Sequence, residues 1–300
     1  MLPAALATVY VVWGSTYLAI RVMVETMPPL LSAGVRFAIA GAIFLAFLAA
    51  RGVDLRITRA QFAGAALVGT LLTFGGNGLV TVAEQDVPSG LAALLVATVP
   101  LWVVLYRAVA RERVSATTAV SVAIGFLGVA LLVLPGDRPD GAPLGGVVLV
   151  VLAAGLWALG SFWSKKVELP ENAFLSTAVQ MLAGGTIMAA VGLAAGEAGE
   201  LGSDTFALDS VLAFAYLVTF GSLLAFTAYV WLLQNAPIST VATYAYVNPV
   251  IAIVLGWAIL SEEITPLVVA GATVIVGSVA AVVREESGMA PSRRREEVAA

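Results

Sequence analysis

Pro237–Thr265 reads PISTVATYAYVNPVIAIVLGWAILSEEIT. Between Pro237 and Glu262 it carries no charge, a run longer than the ~20 apolar residues a helix needs to cross a bilayer. Pro249 stands in its middle, twelve residues after Pro237 and thirteen before Glu262. A proline there removes one backbone hydrogen bond, and its ring clashes with the carbonyl one turn back. In hydrocarbon the freed carbonyl must be satisfied by protein, so the segment is expected to pack against neighbours or line a cavity. An earlier stretch, Pro88–Ser115, reads PSGLAALLVATVPLWVVLYRAVARERVS and follows the same plan: Pro88, twelve residues to Pro100, twelve more to Glu112. Two copies of one broken-helix plan, 149 residues apart in a chain of 300, point to an internal duplication.

The composition sets the class. Hydrophobic residues make up 60% and charged residues 11%, and the mean hydropathy is +1.00. Soluble domains carry about 25% charged residues. The chain is therefore expected to be an all-α integral membrane protein. It has no Cys and no His, which removes disulfides, thiolate chemistry and the usual zinc ligands. No catalytic residue, metal or cofactor is expected, and a net charge of −4 gives no reason to expect nucleic acid. The expected partners are a small-molecule metabolite and the lipid bilayer; the sequence sets no oligomeric state and is compatible with a monomer. The apolar run from Leu2 to Ile20 lacks a basic leader and exceeds a signal-peptide core, so it reads as a first membrane span.

Ten apolar spans can be traced: Leu2–Val22, Leu30–Ala50, Ala60–Ala83, Ser89–Ala110, Thr118–Leu134, Leu144–Ser164, Ala173–Gly196, Ser210–Leu232, Ser239–Leu260 and Pro266–Val283. With the N-terminus in the cytoplasm, twelve Lys and Arg residues fall inside: Arg51, Arg56, Arg59, Arg107, Arg111, Arg113, Lys165, Lys166, Arg284, Arg293, Arg294 and Arg295. Arg21 and Arg138 fall outside, and Arg36 lies within a span. This bias places both termini in the cytoplasm. The acidic connections, Glu84/Asp86 and Glu197–Asp209, then lie outside.

The duplication extends beyond the proline runs. At an offset of 144, Leu31, Ser32, Val35 and Gly41 meet Leu175, Ser176, Val179 and Gly185, and Trp13 meets Trp157. Thr73-Phe74-Gly75 matches Thr219-Phe220-Gly221. Each half holds five spans, an odd number, so the second half enters the membrane from the opposite side. The expected organisation is a first five-helix repeat over residues 1–140, an inverted copy over 141–285 and a disordered cytoplasmic tail over 286–300. Inverted repeats support alternating access, with a substrate site near the midplane.

Candidate site residues follow from polarity at membrane depth. Arg36 lies about six residues inside its span, near 9 Å from the end at 1.5 Å per residue. It can snorkel to the headgroups or face a cavity and meet an anionic group. Its repeat mate is Gln180. Trp13 and Trp157 are repeat mates well inside their spans, and Trp13 leads into the small, polar run Ser15, Thr16 and Tyr17. Asn77 lies within Gly75-Gly76-Asn77-Gly78, where glycines loosen the helix. Trp102, Tyr244 and Asn248 flank the mid-span prolines, and Asn248 can bond a carbonyl freed by Pro249. Pro100 and Pro249 are the candidate conformational hinges. Glu112, beside Arg111 and Arg113, suits a local ion pair; Glu112, Glu262 and Glu263 otherwise read as solvated helix ends. No Asp or Glu falls deep in a span, so proton coupling is expected to be weak or absent.

These features together resemble the EamA family of the drug/metabolite transporter superfamily over residues 4–283. The resemblance is carried by VVWGSTYLAIR at 11–21, SAGVRFAIAG at 32–41, the Pro88–Pro100–Glu112 run and its copy ending GWAILSEEIT at 256–265. It implies a ten-helix inverted-repeat transporter, multi-pass in the inner (cytoplasmic) membrane. Members often export amino acids or related metabolites. The expected function is thus a secondary transporter moving a small metabolite outward, with a passive channel or a membrane enzyme as alternatives.

Overall fold

The computed structural model describes residues 1–133 and 141–288, and every regular element among them is helical. Ten principal helices follow in chain order: α1 (Leu2–Met23), α2 (Pro29–Ala50), α3 (Arg59–Ala83), α4 (Ser89–Val109), α5 (Ala116–Val133), α6 (Leu144–Trp163), α7 (Ala173–Ala194), α8 (Leu208–Asn235), α9 (Tyr244–Leu260) and α10 (Pro266–Gly288). Among the described residues nine of these are long and apolar enough to cross a membrane, and α9 is shorter. Arg138, Arg293–Arg295 and the tail beyond Gly288 lie outside the described residues.

The outer surface is as apolar as the core. Phe47, Phe62, Leu127, Leu152, Val254 and Trp257 are exposed. In water such a surface would aggregate; against lipid tails it costs nothing. Helix association then depends on close backbone approach, which small residues permit. A Cβ on Gly34 would lie 2.5 Å from the backbone N of Ala189, and one on Gly41 would lie 2.8 Å from the carbonyl of Ala178. Reciprocally, Gly185 sits against the carbonyl of Gly34. Helices α2 and α7, which hold the segments aligned at an offset of 144, therefore cross antiparallel in direct backbone contact. Helices α5 and α10 make a second antiparallel pair, with Gly128 against Ile275 and Gly271 against Leu132.

Helix ends are closed by side chains. The Glu197 carboxylate accepts from the backbone N–H of Leu30 and Leu31 at the start of α2 (3.1 and 2.6 Å). Glu262 does the same for Ser89 and Gly90 at the start of α4 (2.7 and 3.0 Å). These carboxylates satisfy amides that no helical carbonyl can reach and complement the helix dipole. Glu262 is thus a cap, not the solvated end expected of it. Glu112 pairs with Arg107 (3.0 Å) and Lys166 (3.5 Å), not with the adjacent Arg111 and Arg113. Arg107 also pairs with Glu286, and Ser115 Oγ donates to Glu285 Oε1 at 3.2 Å. These contacts hold the last turn of α10, which runs to Gly288 where the sequence reading ended the span at Val283 and began the disordered tail at residue 286.

Two helices widen at the segments that the sequence aligns with one another. Thr70–Gly78 in α3 and Leu217–Leu224 in α8 adopt wide π-helical turns. These contain the matched segments Thr73–Gly75 and Thr219–Gly221. Wide turns of this kind leave a bulge and occur often at functional sites. The breaks in the proline-bearing spans are less alike. In α4 the helix stops at Val96 and restarts at Val99, so Pro100 occupies a first turn, where its missing N–H has no helical partner to lose. In the copy, a short helix Ile238–Val241 ends before Thr243 caps α9, and Pro249 lies inside the continuous helix. At each break a threonine hydroxyl donates to the carbonyl three residues back: Thr98 to Leu95 and Thr243 to Thr240, both at 2.6 Å.

Candidate functional site: a central cavity

A cavity of about 140 Å³ lies between seven helices: α1, α2, α3, α4, α6, α8 and α9. A void of about this volume accepts a molecule the size of benzene. The walls are mostly apolar, with a few polar groups that converge on the space, as is usual for small-molecule sites. The widened turns of α3 and α8 both reach it, contributing Gly76 and Asn77 from the first and Gly221 and Ser222 from the second.

Arg36 is the dominant polar group. It enters from α2 and is only 4% exposed, so it does not snorkel to the surface. Its Nε donates to Ser222 Oγ at 3.3 Å, and Cζ lies 4.3 Å from the Phe37 ring centroid. Its Nη1 is buried and has no hydrogen-bond partner. A buried cation with an unspent donor at a cavity wall is costly, and that cost is recovered when an anionic group arrives.

The aromatic wall comes from α1, α6, α8 and α9. Trp13 donates its Nε1–H to the carbonyl of Gly221 at 3.2 Å. Its ring lies 5.0 Å from Tyr229, 5.3 Å from Tyr244 and 5.7 Å from Phe226, centroid to centroid. Trp157 lies opposite, on α6, where Gly76 makes room for it: a Cβ on Gly76 would fall 2.6 Å from Trp157 Cε3. Thr16, Tyr17, Asn77, Tyr244 and Asn248 also line the space, as do both prolines, Pro100 and Pro249. Asn248 Oδ1 is buried without a partner.

Three sequence candidates lie elsewhere. Ser15 turns to the neighbouring helix, bonding the carbonyls of Val11 and Val12 and the Tyr216 hydroxyl (2.6 Å). Trp102 packs on Phe126 at 4.9 Å, behind the cavity wall. Gln180 donates to Ser176 Oγ at 2.9 Å, and its backbone is pressed against Gly69. Arg36 and Gln180 therefore do not form an inward-facing pair. Residues separated by one position on a helix point about 100° apart, so repeat alignment alone does not assign a face.

Ser222 and Phe226 were not singled out from the sequence. The signal for Ser222 was available: it follows the matched Thr219-Phe220-Gly221 as Gly76 follows Thr73-Phe74-Gly75, and both line the cavity. The sequence places Glu84 in an acidic connection on the outer side, with no burial to be foreseen there. Instead it is fully buried at the end of α3, although Gln85 and Asp86 beside it are exposed.

The chain matches the EamA-like transporter family twice, over residues 3–134 and 144–284. The chain belongs to this family. Among its relatives is a protein of Escherichia coli (strain K12) named "Uncharacterized inner membrane transporter YedA", 40% identical over 264 residues, 88% of this chain and 84% of that one. A protein of Salmonella typhimurium named "Probable amino-acid metabolite efflux pump" is 25% identical over 275 residues, 89% of this chain and 90% of the other. A crystal structure covering 94% of this chain and 96% of its own superposes with a TM-score of 0.63 at 21% identity, a likeness of fold. As an EamA transporter, the protein is a membrane protein built of apolar helices.

Proposed function

We propose that this EamA transporter is a secondary carrier that moves a small metabolite bearing an anionic group, an amino acid or a close relative, outward across the cytoplasmic membrane by alternating access. The observation that carries the reading is Arg36, a buried guanidinium among the residues lining the central cavity, whose Nη1 has no hydrogen-bond partner. One carboxylate is the natural partner for a single buried guanidinium. Trp13, Trp157, Phe226 and Tyr244 offer apolar surface for the rest of the molecule, with Asn77, Ser222 and Asn248 available for its polar atoms.

In this reading ten helices form two five-helix repeats of opposite orientation, residues 1–140 and 141–285, with both termini cytoplasmic. The double family match supports the duplication, and the antiparallel contact of Gly34 and Gly41 on α2 with Gly185 and Ala178 on α7 is what a pseudo-two-fold axis between repeat mates requires. Exchange of conformation between the halves would alternately open the two sides. The Salmonella relative's name supports the substrate class and direction.

The test is counterflow in proteoliposomes. Vesicles preloaded with each unlabelled amino acid in turn are diluted into a trace of the same labelled compound. A carrier accumulates label transiently and is stimulated from the opposite side, and Arg36→Gln shifts the response to higher substrate concentrations. Flux without trans-stimulation would identify a passive pore; no exchange of any amino acid would reject the substrate class.

A further inference from the structure

Glu84 is the most unusual charged residue of the fold. It closes the last turn of α3 and is 0% exposed. Neither carboxylate oxygen has a hydrogen-bond partner. Arg21 on α1 reaches this turn, but its Nη1 donates to the backbone carbonyls of Glu84 and Gln85, leaving the carboxylate unpaired. Glu262 is the nearby anion, already engaged by the amides of Ser89 and Gly90. Arg36 on α2 and the Tyr17 phenol on α1 complete the ionisable surroundings, and both line the cavity. Helix α6 brings only apolar side chains and Gly146 to this end. Val80, one turn before Glu84 on the same face of α3, is a cavity residue. Glu84 thus lies one helical turn from the cavity, within the field of Arg36, the buried cation on its wall.

A buried, unbonded carboxylate is strongly disfavoured relative to its neutral acid. Burial chiefly, and Glu262 next, hold the Glu84 carboxyl well above the usual range, with Arg21 and Arg36 opposing. Burial and the missing hydrogen-bond partners therefore favour the protonated carboxyl in this conformation. We propose that Glu84 is the proton-binding site of the transport cycle, linked to cavity occupancy through Arg36. An anion on Arg36 cancels the positive field that favours the ionised carboxylate, so Glu84 holds its proton more tightly. By reciprocity a protonated Glu84 favours the anion. Anion and proton then occupy the protein together and leave on the same side; the proton comes from water on the side open at loading and returns to water on the other. The expectation of weak proton coupling rested on the absence of a carboxylate deep in a span; Glu84 lies at the end of α3, and its burial offers the proton a site there instead.

Protonation and its link to Arg36 can be tested without substrate; only the flux consequence rests on the proposed function. Infrared spectroscopy of the purified transporter at neutral pH should show the carbonyl stretch of a buried carboxylic acid, lost in Glu84→Gln and retained in the exposed-site control Glu25→Gln. In Arg36→Gln the band should persist to higher pH, by about tenfold in proton affinity. In proteoliposomes, efflux of an amino acid that the protein exchanges should alkalinise the lumen. Absence of the band from the unmutated protein, a band untouched by Glu84→Gln, or a midpoint unmoved in Arg36→Gln would each overturn the proposal, as would exchange-competent efflux with no proton movement. Should no amino acid be exchanged, the substrate reading fails while the infrared titration still decides the role of Glu84.

Discussion

Arg36→Gln should weaken substrate binding while making the folded protein more stable. The arginine is buried at 4% exposure, spends Nε on Ser222 and leaves Nη1 without a partner. An unsatisfied buried polar group costs about 1–3 kcal/mol, and more when charged. Glutamine is neutral and retains one amide donor for Ser222, so the empty carrier should gain about 1 kcal/mol or more. The substrate loses a charge-assisted hydrogen bond worth about 1.5–3 kcal/mol. At about 1.4 kcal/mol per factor of ten, the half-saturating concentration should rise between about tenfold and about a hundredfold. The measurements are the thermal midpoint in detergent and the half-saturation for counterflow, on the same preparation. Arg36→Lys separates charge from shape: it should bind better than Gln but worse than Arg, because ammonium lacks the planar fork. A variant that unfolds more easily and binds normally would show that Arg36 serves structure, and the cavity would lose its anion site.

Pro249→Ala should change transport more than Pro100→Ala, since Pro249 lies inside continuous α9 and Pro100 in a first turn after an existing break; single cysteines added to this cysteine-free chain would report which side is open, and equal effects would remove Pro249 as a hinge. Gly184→Ala should lower the folded yield sharply, because its Cβ would lie 1.8 Å from Thr73 Oγ1 and 2.4 Å from the carbonyl of Gly69, an overlap costing at least the ~1–3 kcal/mol of ordinary overpacking. Gly277→Ala, with nothing within 4 Å, is the matched control and should be neutral. The hydrogen bond from Arg107 holds the Glu112 carboxyl below its usual range, so its contribution is full above ordinary carboxylate values and fades as pH falls through the depressed one. The thermal midpoint of Glu112→Gln should therefore lie below that of the unmutated protein at neutral pH and converge with it in acid; a gap independent of pH would exclude the ion pair as the cause.

The chain's own pattern determined the class and the order of its helices. Long apolar runs with nearly all acids and bases at their ends, Arg36 excepted, leave little choice but a helical membrane protein, because hydrocarbon tolerates no unpaired backbone. The proposed duplication comes from the same pattern, through Pro88/Pro100 with Pro237/Pro249 and Thr73–Gly75 with Thr219–Gly221. Most of the cavity's polar and aromatic lining followed too, because Trp13, Tyr17, Arg36, Asn77, Trp157 and Asn248 are the kinds of residue that hydrocarbon rejects unless something receives them. What the pattern left open was facing. Ser15 and Thr16 are neighbours in sequence, yet the first bonds Tyr216 and the second lines the cavity. Gln180 is aligned with Arg36 but is turned into the α3–α7 contact. Glu84 stands beside two exposed polar residues and is itself sealed, because the end of α3 is covered by residues distant in the chain. Which way a side chain points depends on helix rotation and on the partner across the interface. Both are set by packing between segments a hundred or more residues apart, and only the tertiary structure brings those segments together.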